Sequence, residues 1–280
     1  MTPVHLTALD DELAAVPGTV SVHCGPLDGP PAYAREWQAT HYAASTMKVA
    51  VLAALYRSGV DLDAPVPVHN EFRSAAPGAP AFHCTPEYDS ETEVWRRIGG
   101  TASLRWLAWR MIVVSGNLAT NLCLAEVGLP AVNAVWRLVG ARHSVVGRGI
   151  QDTAAGDAGI SNLVTAADLA ALLSAIARAD PALSTVESCD GMREVLLAQE
   201  RGEDLAAGLP PGTRIAHKNG WIPGIRHGAA VIYPADAPAY TLVCCTSTPL
   251  ATDSDGTDAA CALLARVAAA SWADRYTLTP

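Results

Sequence analysis

The sequence predicts an α/β (α+β) fold, an antiparallel sheet drawn from both chain ends with an all-helical subdomain inserted between them. Two observations carry this. Alternating apolar segments flank a middle whose apolar residues recur at helical spacing, and the order of elements is hairpin, helices, three strands, helix. The 280 residues, half of them hydrophobic and 17% charged, supply core for one domain. We read that domain over 1–280, its sheet subdomain about 1–60 and 205–280 and its helical subdomain about 61–204. No internal repeat or isolating linker interrupts it.

In chain order, Leu6–Ala15 is a short helix stopped by Pro17-Gly18. Thr19–Cys24 alternates as a strand, and Ala32–Gln38 pairs with it across a Gly- and Pro-rich turn. Thr46–Arg57 is apolar and alanine-rich with Gly59 as its stop, which puts Ser45 at or near a helix N-cap. Residues 61–100 are punctuated by proline and glycine and form an irregular excursion, where Pro77, Pro80, Phe82 and Trp95 are read as packing. Helices follow at Leu104–Val113, Leu118–Glu126, Ala131–Val139, Ala166–Ala179 and Met192–Gln199, with Gly147–Asn162 as a glycine-rich loop. Arg214–Lys218 and Gly228–Tyr233 are strands joined through Asn219–Gly224. Tyr240–Thr246 is the last strand and Asp258–Arg275 the last helix.

The net charge of −9 argues against a nucleic-acid partner, which needs a basic face. No apolar run of membrane length is read, so no membrane partner is expected. The N-terminus carries neither a basic nor an apolar leader region. The seven cysteines are scattered, with no zinc spacing, and read as small buried hydrophobes in a reducing compartment. The expectation is a cytoplasmic enzyme without metal or organic cofactor.

Only two of the nineteen basic residues are lysines, Lys48 and Lys218. Arginine serves most surface roles but does not give up its proton, whereas a buried lysine can act as a base. Lys48 follows Ser45 by three residues, hence on one helix face. Burial among Val49, Val51 and Leu52 would depress its pKa, and the helix start would favour negative charge at Ser45. That is an activated serine with lysine as its base. Ser115-Gly116-Asn117 falls between helices, where a hydroxyl can relay a proton and an amide can hold substrate. In Lys218-Asn219-Gly220-Trp221, Gly220 permits close approach, and the N–H groups of Ser45 and Trp221 would form a two-donor oxyanion hole.

Ser45-x-x-Lys48, Ser115-Gly116-Asn117 and Lys218-Asn219-Gly220 stand in the order and contexts of the S-x-x-K, S-D-N and K-T-G signature. Over roughly residues 15–275 the chain resembles the class A β-lactamase-like and penicillin-binding-protein-like serine hydrolases. The resemblance implies a β-lactamase/transpeptidase-like fold. It implies Ser45 as acylated nucleophile, Lys48 as base or relay, Ser115 as proton shuttle, and Lys218 beside it as a fixed charge. Asn117 would position a substrate amide, and Asn219 with Arg226 or His227 would bind a substrate carboxylate.

The chain departs from that pattern in three places. Gly116 replaces a bracing aspartate and Asn219 replaces a hydroxyl residue. The loop Gly147–Asn162 contains no glutamate where class A enzymes keep the base that activates the deacylating water, leaving Asp152 or Asp157 as the loop acid. Losing such a base slows deacylation by roughly 10²–10⁴. The expected function is therefore a serine hydrolase or acyltransferase that forms an acyl-Ser45 intermediate from a small ester or amide and turns over β-lactams poorly. The alternatives are a transacylase or cyclase that resolves the intermediate with an amine, and a non-acylated binding scaffold.

Overall fold

The computed structural model describes residues 2–252 and 256–278. Its N-terminal helix is two short pieces, α1 (Val4–Thr7) and α2 (Asp10–Ala15), because the chain turns at Ala8-Leu9. Strand β1 (Thr19–Pro26) follows and pairs with β2, which covers only Tyr33–Arg35 of the expected strand. β3 (His41–Tyr42) leads through a 3-10 turn, Ala44–Met47, directly into α3 (Lys48–Arg57). Ser45 is thus inside the 3-10 turn and is not the side-chain cap of an α-helix.

Within the excursion, β4 (Pro65–Pro67) pairs with β5 (Thr101–Ser103). Helix α4 (Leu104–Val113) starts at Ser103, whose hydroxyl accepts from the Trp106 N–H. α5 (Asn117–Leu138) is two helices meeting at Gly128, where φ is 75° and ψ 154°, with Pro130 just beyond. Among the described residues, α5 alone qualifies as a membrane span by length and a mean hydropathy of 1.4. Its kink and its packing on α3 and α4 make it the central helix of the helical layer.

β6 (Val145–Val146) and β7 (Asn162–Val164) pair with each other, and β7 with β3. Between them α6 (Thr153–Asp157) occupies part of the expected loop. α7 (Ala166–Ala177) and α8 (Val186–Leu197) then cover the sheet. β8 (Arg214–Ile222) and β9 (Ile225–Tyr233) are longer than expected, joined only by Pro223 and Gly224. β10 (Tyr240–Ser247) and α9 (Ala259–Ala273) complete the chain.

The main sheet is antiparallel, in the order β2-β1-β10-β9-β8, so β8 is an open edge. One face packs on α1, α9 and the 3-10 turn Leu205–Gly208; the other packs on α7 and, through the larger core, on α3, α4, α5 and α8. Period-two alternation sends Cys244 to the first core and Cys245 to the second. All seven cysteines are free and buried.

Candidate active site

α3 is buried along nearly its whole length, from Lys48 through Leu55. A lysine at its first turn therefore loses water on all sides. Burial lowers the Lys48 ammonium to a pKa of about 7, and the charge of Asp89 opposes that shift. Lys48 Nζ donates to Ser115 O at 2.6 Å, to Asn117 Oδ1 at 2.9 Å and to Ser115 Oγ at 3.2 Å. No described hydrogen bond joins it to Ser45, which lines a cavity of about 610 Å³ beside it.

Lys218 reaches the same hydroxyl from β8. Its Nζ lies 3.0 Å from Ser115 Oγ and 2.9 Å from Asn219 O. Burial, then the charge of Lys48, pulls Lys218 well below the ordinary lysine value, with Arg201 adding to this and Asp204 opposing it. Two desolvated ammonium groups on one hydroxyl repel, so each disfavours the charged form of the other.

The edge position of β8 exposes the second backbone donor. Its two-residue turn closes on the pair Ile222–Ile225, and alternation leaves the N–H and C=O of Trp221 outside the ladder. Asn219, of the same parity, indeed offers its carbonyl to Lys218. The Ser45 N–H, in the first turn of its 3-10 helix, has no intrahelical partner. A β-carbon on Gly220 would lie 2.8 Å from Ser45 N and 3.0 Å from Thr46 N, so only glycine lets the strand meet this turn.

Backbone strain concentrates here. Five described non-glycine residues have positive φ, and three of them, Ala44 (44°), Ser115 (64°) and Gln151 (66°), line the cavity. Such conformations cost free energy and cluster at functional sites.

Asn117 lines the cavity, and its Nδ2 donates to Tyr88 O at 2.5 Å. Its helix start is capped from the excursion: Asp89 accepts from Asn117 N and Leu118 N, each at 2.9 Å, and from Trp95 Nε1 at 3.0 Å. Buried Glu91, paired with Arg110, fills the space beside Gly116, where a β-carbon would sit 3.0 Å from Glu91 Cβ. The carboxylates absent from the middle motif are thus supplied by residues 89 and 91.

Four other expectations are corrected. Arg226 is fully buried on the α9 face, paired with Asp258 at 3.2 Å, and does not line the cavity. His227 is buried and held neutral, its pKa lowered to about 4 by burial. Its Nε2 lies 2.8 Å from Tyr42 O and its Nδ1 accepts from Thr246 N at 3.1 Å, so it braces β9 against β3. Asn219 is fully buried with Oδ1 3.3 Å from Lys218 Nζ, so it backs the lysine and does not line the cavity. Asp152 is buried as the N-cap of α6, accepting from Ser74 Oγ at 2.7 Å and Ala75 N at 2.8 Å, which turns its carboxylate from the cavity.

The loop wall instead presents Arg148, Ile150 and Gln151, and motif reasoning also missed Tyr42, Arg201 and the excursion residues Glu87, Tyr88, Asp89 and Ser90 in the lining. Asn121 clamps Ile150 through both N–H and C=O at 2.8 and 2.9 Å, and Asn162 Oδ1 accepts from Gly147 N and Arg148 N. The Gly147-Arg148-Gly149 pattern was the available signal. A β-carbon on Gly147 would meet Ser161 O at 2.5 Å, and one on Gly149 would meet Phe82 at 2.8 Å. Pro77, Pro80, Phe82 and Trp95 lie outside the lining.

A sheet from both chain ends, an inserted helical layer and this serine–lysine cavity between them define a serine hydrolase of the β-lactamase type. The model of the β-lactamase enzyme family matches residues 6–272, and the chain belongs to that family. Among solved structures it is similar to PBP-A, with 20% identity over 96% of this chain and 95% of that one and a TM-score of 0.77. A β-lactamase from Sphaerobacter thermophilus gives 22% over 97% and 96%, TM-score 0.77. One from Xanthomonas campestris gives 21% over 96% and 97%, TM-score 0.79. At these identities the likeness is one of fold. No curated protein matches the chain.

Proposed function

We propose that the protein forms a covalent acyl-enzyme on Ser45 from a small ester or amide and hydrolyses that intermediate slowly. The observation that carries this reading is the fully buried Lys48, poised near neutrality one turn from a cavity-lining serine and linked through Ser115 to a second buried lysine. Neutral Lys48 takes the Ser45 proton as Oγ adds to the carbonyl, and the N–H groups of Ser45 and Trp221 receive the developing oxyanion. Ser115 then passes a proton to the leaving atom.

Slow hydrolysis follows from the loop wall. Its cavity-lining residues are Arg148, Ile150 and Gln151, and the carboxylate of Asp152 is committed elsewhere. With the carboxylates of the lining, Glu87 and Asp89, on the opposite excursion wall and none free on this one, an amine acceptor competes for the acyl group, which supports transfer as the second reading. The test is intact-mass analysis after incubation with activated esters and a penicillin. The expected result is a long-lived adduct that Ser45→Ala abolishes. Absence of adduct or turnover across both classes would overturn the reading in favour of a binding scaffold.

A further inference from the structure

Arg148 is a cation in the cavity wall without an anion. Among the described residues no carboxylate stands within ion-pair distance of it. Asp152, four residues on, offers its backbone oxygen at 3.2 Å, because its carboxylate is held by Ser74 and Ala75. Among the described residues the one side-chain oxygen that Arg148 meets is Tyr42 Oη at 3.3 Å, with the guanidinium 5.8 Å from that ring's centre. Its Nε is sealed from solvent with no partner. On its other side lies Gly156, where a β-carbon would sit 3.4 Å from Cζ. A half-buried guanidinium with a sealed, unpartnered Nε is stabilised by a carboxylate, whose two oxygens match its planar donors.

The position of Arg148 selects one end of the substrate. The leaving group must face Ser115 and Lys218, which return the proton, and the charge of Arg201 is felt there. Arg148 makes no described hydrogen bond to Ser115, Asn117 or either lysine, and bonds instead to Tyr42 and Asp152. It stands on the loop wall with Ile150 and beside Tyr42, three residues before Ser45.

We propose that Arg148, with the Tyr42 hydroxyl, forms an anion subsite on the acyl side of the cavity, so that the substrate class is esters or amides of dicarboxylic acids. This rests on the acyl-enzyme reading. In the reaction, Ser45 Oγ bonds to the carbonyl carbon and its proton goes to Lys48. The bond to the leaving oxygen or nitrogen then breaks, that atom takes the proton back, and the far carboxylate stays on Arg148.

The experiment compares Ser45 acylation by 4-nitrophenyl hemiglutarate and by 4-nitrophenyl pentanoate, which have similar reactive carbonyls and differ in the far carboxylate. The ratio of the two rates within one protein is insensitive to the fraction folded. The native chain should favour the anionic ester by roughly ten- to a hundredfold. Arg148→Gln should bring the ratio near one, Arg148→Lys should keep part of it, and Tyr42→Phe should reduce it. A native ratio near one, or a preference that survives Arg148→Gln and vanishes in Arg201→Gln, overturns the proposal and leaves acylation intact. Absence of adduct from both esters overturns the acyl-enzyme reading. The subsite is then judged by glutarate binding to Ser45→Ala, which Arg148→Gln must abolish if the proposal is right and leave unchanged if it is wrong.

Discussion

Lys48 Nζ and Lys218 Nζ converge on one oxygen, the hydroxyl of Ser115, at 3.2 and 3.0 Å. A hydroxyl carries one proton, so it serves two lysines best when it accepts from one and donates to the other. The arrangement therefore favours one ammonium and one amine, a ready path for a proton to travel from one side of the serine to the other.

The first prediction is a pH profile. Lys48 must be neutral to take a proton, so acylation should rise as pH passes upward through about 7 and level off above it. Lys48→Arg cannot deprotonate and should lose roughly 10²–10⁴ of the acylation rate at every pH. Stopped mass sampling across pH 5–9 would check both; a flat profile, or an active Lys48→Arg, would exclude lysine as the base.

Asp89 ties that profile to the excursion. Its charge holds the Lys48 pKa up, so Asp89→Ala should move the midpoint of the pH profile downward. The same change strips the acceptor from Asn117 N and Leu118 N and should cost about 1–2 kcal/mol in denaturant melts. An unmoved midpoint would show that Asp89 is purely a cap.

Gly220→Ala would drive a methyl to 2.8 Å from Ser45 N, into the oxyanion pocket. Acylation should fall by roughly 10²–10³, with a smaller loss of thermal stability. Unaltered acylation would mean that the Ser45 and Trp221 N–H groups are not the donors.

Restoring an aspartate at 116 should harm this protein, because Glu91 already occupies the space. Gly116→Asp should destabilise by about 1–3 kcal/mol, and less when combined with Glu91→Ala. A double-mutant melt series reads the coupling, and simple additivity would remove Glu91 as the cause.

Ile150→Glu would place a carboxylate on a wall segment whose backbone Asn121 holds at both N–H and C=O. The adduct lifetime should shorten by roughly 10²–10⁴. An unchanged lifetime would show that water does not reach the ester from that wall.

The parts of this site legible in sequence are those whose geometry is local. Ser45 and Lys48 lie within one helical turn, and Ser115-Gly116-Asn117 and Lys218-Asn219-Gly220 each mark an element boundary. Reading 219–224 as a connection hides the alternation that sends Asn219 and Arg226 to the α9 face, and His227, on the other face, is taken up by Tyr42 O. Asp89, Glu91, Arg148 and Arg201 were invisible because their roles depend on contacts 19 to 29 residues away or across the cavity. No periodic pattern marks such residues.

Asp89 and Glu91 stand well upstream of the glycine whose missing side chain they replace. A motif is thus only one way of delivering a charge to a place. Scoring this chain letter by letter would count Gly116 as decay, whereas in three dimensions the acid has changed address. Relatives with a defective-looking middle motif are therefore better sorted by whether the segment before α4 brings a carboxylate to the start of α5.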